Sequence, residues 1–336
     1  MNNRYDFMFF IDATNCNPNG DPDMGNTPRI DPETGFGLIT DVAIKRRIRN
    51  YIEIAFNHKD GMDIIKRDSS NMNETIFKIV KDANDGIVEI KDKKPINKKI
   101  NESRKLACEK YFDVRTFGDV LTTGANAGQI RGPVQISMAS SLDQILPMDI
   151  TITRMCYTEG NFTTEEEFEK LDSEMSNDKK RTMGRKQYIP YGLYVVKGSV
   201  SANLANKCGF SENDLNILFE SIMNMYNNDL SATKTGMNVL QPMIIFKHVG
   251  TNNNSSNVEQ NIRESRLGCA PSYKLYELVD VHKKEGIEYP RKYQDYDAFI
   301  DFENIPKGVE IGFKYGPFDD IIWNKLSDKD NWFKLK

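Results

Sequence analysis

NCNPNGDPDMGNTPRIDPETGFGLITDVAIKRRIRNY, residues 15–51, divides into a long polar loop and a helix. The loop is dominated by Asn, Asp, Gly and Pro, and a connection of that length inside a compact domain is usually functional or disordered. The helix starts at Thr40 or Asp41, either of which offers a side-chain oxygen to an orphaned backbone N–H. Ile44, Ile48, Tyr51, Ile52 and Ala55 then recur at helical spacing and define the face to be buried. Lys45, Arg46 and Arg49 lie off that face, so the helix carries a cationic flank beside its apolar stripe. Arg47, around the helix from Lys45 and Arg49, reads as an ordinary solvated residue. An anionic partner is expected along the flank.

Upstream, Tyr5–Asp12 (YDFMFFID) reads as a short buried strand. Downstream, Val134, Ile136 and Met138 alternate with Gln135, Ser137 and Ala139 within Arg131–Ser140, the period of a half-exposed strand. Tyr191–Ser201 and Leu240–Val249 are two further strands. Between them Ser211 caps a helix with the stripe Leu215, Leu218, Phe219, Ile222, Met225 and Tyr226. The order strand, helix, strand, strand, helix, strand is the ferredoxin-like or RRM arrangement of an α+β fold. It places a core in residues 1–56, 113–141 and 190–250. Residues 57–112 form one insertion, with a short amphipathic helix whose face is Ile76, Phe77, Val80 and Ala83. Residues 142–189 form a second, holding an acidic helix capped by Thr164 with Glu167 three residues on. Residues 251–336 are a C-terminal extension, which opens with the Asn/Ser loop Thr251–Asn257.

The 336 residues, 39% hydrophobic and 28% charged, are ample for a core. No apolar run approaches the roughly 18 residues that a membrane helix needs, and the chain enters a strand without a signal-like segment, so a cytoplasmic location and no membrane partner are expected. Five scattered cysteines without a CxxC pair argue against a disulfide framework or a zinc site. His58, His248 and His282 lack metal or triad spacing, and no phosphate-binding or nucleophile motif is present. No catalytic residue, metal or cofactor is expected. The formal net charge of −4 hides basic blocks at Lys45–Arg49, Lys91–Lys110 and Lys179–Lys186 around the acidic stretch TTEEEFEKLDSEMSND, and segregated charge creates local fields that the sum conceals.

TTGANAGQIRGP, residues 122–133, combines glycines with Asn126, Gln129 and Arg131. Main-chain amides and cations together suit single-stranded RNA, whose phosphates and 2′-hydroxyls need donors. Arg185 and Lys186 in KKRTMGRK, and Lys234 in SATKTG, are further candidates for backbone contacts. Against these stand Asp12, Asp21, Asp23 and Asp31, which also suit turn formation but, if they converge, would hold a divalent metal for phosphodiester cleavage.

The runs CNPNGDPD, PRIDPETGFGLITDV and KRRIRNY, then FGDVLTTGANAGQIRGPVQISMASSLDQI from Phe117 to Ile145, then MGRKQYIPYGLYVVKGSVSANLA from Met183 to Ala205, occur in one order. Together they resemble the crRNA-binding backbone subunit of type I CRISPR Cascade complexes, the Cas-seven family of the RAMP superfamily, most like the type I-C version. The resemblance covers most of the chain up to about residue 250. It implies an RRM-like palm, a finger-like lobe at 57–112 and a thumb-like hairpin at 142–189. It implies RNA contacts from Lys45, Arg46, Arg49, Asn126, Gln129, Arg131, Arg185, Lys186 and Lys234, with Met183 as the thumb residue that displaces a base. The implied partners are crRNA, a target DNA strand and further copies of the chain in a helical filament. Others are a 5′-end RRM-like subunit, a large and a small subunit, and a recruited nuclease-helicase. Type III relatives cut RNA with an acidic residue, so the alternative is a metal-dependent ribonuclease using Asp12, Asp21 and Asp31.

Overall fold

A computed structural model describes residues 1–91, 94–177, 179–251, 257–324, 332–333 and 335. Most of the Asn/Ser tract at 251–257 and two residues of the Lys91–Lys110 block therefore lie outside the described residues. The palm comprises β1 (Tyr5–Cys16), α1 (Asp41–Phe56), β2 (Val134–Ile136), β3 (Ala139–Gln144), β4 (Thr182–Val200), α2 (Glu212–Asn224) and β5 (Met237–His248). β1 lies at the centre, antiparallel to β4 on one side and β5 on the other. β2 and β3 pair with the far side of β4. Counting β2–β3 as one interrupted strand, the spatial order is fourth, first, third, second, the ferredoxin-like order. Strands Val309–Lys314 and Ile322–Trp323 extend the sheet beyond β5, and Phe36–Ile39 extends it beyond β3.

The two helices cover one face. Thr40 caps α1, its hydroxyl accepting from the Ala43 N–H at 3.2 Å, and Ile44, Ile48, Tyr51 and Ile52 are buried. Ala55 is exposed, because the helix is about to leave the core through a left-handed Asn57. Ser211 and Asp214 cap α2 reciprocally, and Leu218, Phe219 and Ile222 pack with Phe7, Phe9 and Ile11 of β1. Phe7 meets Phe219 edge-on with ring centroids 5.5 Å apart. Room for the Phe7 ring comes from Gly198, its register partner on β4, where a Cβ would sit 2.3 Å from the ring.

One strand departs from its predicted alternation. Val134↔Val200 and Ile136↔Gly198 are followed by Ser140↔Val195, so four steps on one strand oppose three on the other. This bulge inverts the facing of the side chains: Met138 is 49% exposed and Ala139 is buried.

The residues after α1 build a lobe with its own core. Helix Met72–Ala83 buries Ile76, Ile79 and Val80, whereas Phe77 points outward, 38% exposed; the buried stripe is rotated by one residue from the predicted face. Helix Ile100–Lys110 contributes Ala107 and Cys108. Hairpin Gly118–Leu121/Gly128–Arg131 adds Leu121, Ala125, Ala127 and Ile130 to the same cluster, so a boundary at residue 112 cuts through this core. The second insertion is the hairpin Met148–Arg154/Thr182–Tyr188 carrying helix Glu165–Glu174, none of whose residues is buried.

The C-terminal segment covers the other face of the sheet. Leu275, Leu278, Tyr296, Ala298 and Ile300 pack on Met8, Phe10, Leu193, Ile244 and Phe246. A buried polar chain fastens it: His248 Nε2 lies 2.9 Å from Asp6 Oδ2, and the Cys269 N–H donates to His248 Nδ1 at 2.9 Å. Burial pushes the Asp6 carboxyl up, but the His248 hydrogen bond and the Arg4 guanidinium hold it below the usual range. Among the described residues no helix is long and apolar enough to cross a membrane.

The lobe is tied to the palm by Arg115, which donates to Gly61 O at 2.9 Å, Cys108 O at 2.8 Å and Asp214 Oδ1 at 2.8 Å. Arg115 and Asp214 are 7% and 6% exposed. Breaking such a buried pair strands a charge, so Asp214→Ala is expected to lower unfolding free energy by about 3–5 kcal/mol in urea titrations. A loss of under about 1 kcal/mol, the range of an exposed pair, would contradict the structural role given to Arg115.

Candidate nucleic-acid interface

The predicted site residues separate into those already engaged by the protein and those left free. On α1, Lys45 pairs with Asp41 at 2.8 Å and Arg49 with Asp113 at 2.8 Å. Both cations also lie over the Phe117 ring, 5.7 and 5.3 Å from its centroid. Asp113 is 1% exposed and accepts from the Ile65 N–H as well, so Arg49 is a junction between palm and lobe. Arg47 is ion-paired with Asp229. Arg46 is exposed, and its side chain has no ion pair or hydrogen bond among the described residues.

Gly118, directly after Phe117, is the register partner of Arg131. On strand Gly128–Arg131 the residues alternate, with Gly128 and Ile130 buried and Gln129 and Arg131 exposed. Gln129 and Arg131 are both exposed and unpaired among the described residues. Asn126, at φ 54°, closes the preceding turn, its Oδ1 accepting from Gly128 N–H at 3.1 Å. The glycines here serve packing: a Cβ on Gly132 would lie 2.2 Å from Gly118 N, and one on Gly118 2.3 Å from Gly132 N.

Gln129 and Arg131 line one wall of an open cleft of about 720 Å³ between the lobe and the palm. Helix Ile100–Lys110 supplies Arg104 and Lys105, and helix Ala202–Cys208 supplies Lys207. Four cations thus face one carboxylate, Glu109, in a chain whose net charge is −4. Arg104 and Lys105 fall inside the basic block that the sequence flags. Lys207 carries no local signal, since it reaches the cleft only through the packing of its helix on the lobe.

The remaining candidates gather around the second hairpin. Met183 is 80% exposed opposite Thr153, and Arg185 lies 3.6 Å from Asp149. Lys186 Nζ donates to Ala232 O at 3.2 Å, bringing it to the loop that holds Lys234. The Lys234 ammonium donates to the carbonyls of Asn17 and Pro18, which fixes the polar loop after β1 and leaves it unavailable as a free phosphate clamp.

The aspartates do not converge. Asp12 is 8% exposed, and burial raises its carboxyl pKa despite nearby Tyr191 and Asn238 side chains. Asp21 pairs with Arg29 at 3.0 Å and also accepts from the Asp23 N–H, while Asp31 accepts from the Thr34 hydroxyl at 2.7 Å. Among the described residues no three His, Cys, Asp or Glu side chains are placed to share a metal ion.

These features define an α+β protein with a ferredoxin-like palm and a cationic cleft between palm and lobe. The family description CRISPR-associated protein Cas7 matches residues 3–301, and the chain belongs to that family. A CRISPR-associated protein Cas7 of Haloferax volcanii is 28% identical over 233 residues, which are 63% of this chain and 61% of the relative. The chain therefore matches less than two thirds of that relative's length. Two solved chains overlap it at 13% identity. One belongs to a "CRISPR RNA-guided surveillance complex, pre-nicking", with TM-score 0.44 over 82% of this chain and 85% of that one. The other belongs to a "CRISPR RNA-guided surveillance complex", with TM-score 0.40 over 82% and 79%.

Burial pulls Lys234 down to about 8 from 10.5, with Arg47 adding to the fall. Between those values the unfolded chain binds the proton more readily than the folded one, so this residue makes stability rise with pH. Lys234→Met is expected to lack that increment when urea midpoints are followed from about pH 8 to about pH 10.5. Superimposable profiles for parent and variant would contradict it.

Proposed function

We propose that the chain is a non-catalytic backbone subunit of a type I CRISPR interference complex, close to the I-C form. Copies polymerise along one crRNA and present its bases to a target DNA strand, an open head-to-tail assembly. Specificity then resides in base pairing while the protein reads backbone and shape. The 5′-end RRM-like, large and small subunits and a nuclease-helicase are the further partners of this reading. The observation that carries it is the cleft, where Arg104, Lys105, Arg131 and Lys207 oppose a single carboxylate in an acidic chain.

Gln129 and Arg131 contact the RNA backbone at the cleft, and Arg46 extends the cationic surface along α1. Lys45 and Arg49 act from behind by seating Phe117 under the hairpin, and Asn126 shapes the turn before it. Met183, Arg185 and Lys186 project from the hairpin at the opposite insertion, where Met183 is the wedge between bases, and Lys234 fixes the polar loop after β1. The ribonuclease alternative is not favoured, because Asp21 and Asp31 serve separate local partners, Asp12 is buried, and among the described residues no three acidic groups are placed to share a metal ion.

Arg46→Glu and Arg131→Glu replace exposed side chains without partners, so neither should disturb folding. Each cation withdrawn from the phosphates of a single strand lowers the slope of log affinity against log salt by about 0.7. The double variant, co-expressed with a repeat–spacer array, is expected to retain less crRNA and to lower that slope by about 1.4. Parent-like affinity and slope would remove both residues from the RNA path.

A further inference from the structure

Two of the five cysteines share the cleft. Cys108 projects from helix Ile100–Lys110 of the lobe, and Cys208 ends helix Ala202–Cys208 of the palm. Each is 7% exposed, and both belong to one apolar cluster that spans the junction. Cys208 Sγ donates to Arg131 O at 3.4 Å, which holds that thiol against the strand carrying Gln129 and Arg131. The other thiols are placed differently: Cys16 is sealed in the palm core, Cys156 is exposed on the second insertion, and Cys269 lies beside His248.

We propose that Cys108 and Cys208 are a redox-active dithiol that closes as a reversible disulfide across the lobe–palm cleft. Both thiols line the same cleft and lie in the same apolar cluster. The Cys108 S–H favours the Cys208 thiolate, with Lys207 adding to the effect against burial, and the same contact pushes Cys108 up. Lys207, adjacent in sequence and lining the same cleft, makes Cys208 the attacking sulfur and Cys108 the resolving one, since the thiolate is the nucleophile. The open cleft gives access, and Arg104, Lys105 and Lys207 favour an anionic oxidant such as oxidised glutathione.

The steps balance. The Cys208 thiolate attacks one sulfur of the oxidant, breaks its S–S bond and expels one glutathione thiolate, which takes the proton Cys208 gave up. Cys108 then loses its proton and attacks the Cys208 sulfur of the mixed disulfide, expelling the second glutathione, which takes that proton. The cysteine pair loses two electrons and the oxidant gains them. The resulting bond fastens helix Ile100–Lys110 to helix Ala202–Cys208 beside Arg131. This inference needs only the fold and stands apart from the RNA reading.

The test uses the full chain with Cys156→Ser, so that the exposed thiol does not compete. Native protein is incubated with oxidised glutathione, alkylated, and mapped by peptide mass spectrometry. The expected product is a Cys108–Cys208 link with two hydrogens lost, no glutathione retained, and reversal by dithiothreitol. Adding Cys108→Ser should trap glutathione on Cys208, and Cys208→Ser should leave Cys108 unmodified. The proposal is overturned if both thiols stay free, if glutathione stays on Cys208 with Cys108 intact, or if the link forms no faster in native than in urea-unfolded chain.

Discussion

The burial of β1 on both faces is the constraint on which the rest of the molecule depends. Every residue from Tyr5 to Ala13 is buried, which a strand with one wet face does not permit. Phe7, Phe9 and Ile11 face the helices, while Met8 and Phe10 face the C-terminal segment. Two charges on this strand illustrate the cost. Asp6, fully buried, is tolerated because His248 and Arg4 satisfy it, whereas Asp12 has its carboxyl pushed up by burial.

Covering both faces has a functional consequence. An RRM-like sheet that leaves one face open can stack bases on it, but here that face is occupied by Leu275, Leu278, Tyr296 and Ile300. Polar groups for an anionic ligand must therefore come from edges, loops, insertions and the outer faces of helices. That is where the unengaged polar residues lie: Gln129 and Arg131 on the lobe's hairpin, Lys207 at a helix end, and Arg46 on the outer face of α1.

Local signals were legible and long-range ones were not. The Thr40 cap, the Ser211 cap and the stripe of α2 depend on residues within a few positions of one another, so the chain declares them. The Ala139 inversion depends on how β2 and β3 share β4, which no alternation pattern contains. Phe77 and Ile79 lie on neighbouring rows of a helix, and helix Ile100–Lys110, packed against it, decides which row is inside. Likewise Arg104 was visible as part of a basic block, but its meeting with Lys207 joins segments about a hundred positions apart.

Arg49 shows how magnitudes sort a cationic surface into structural and unengaged parts. From the sequence it is equivalent to Arg46, on the same helix and of the same charge. In the fold its partner Asp113 is 1% exposed, and removing the partner of a buried charge costs about 3–5 kcal/mol. A hydrogen bond to a charged group returns only about 1.5–3 kcal/mol. Arg49 therefore stays with Asp113 when an anion approaches, and its contribution passes through Phe117 to the hairpin that carries Arg131. Arg46 and Arg131 give up no buried partner on meeting a phosphate. The cations of this chain left free to meet an anion are thus the ones for which the fold has no other use.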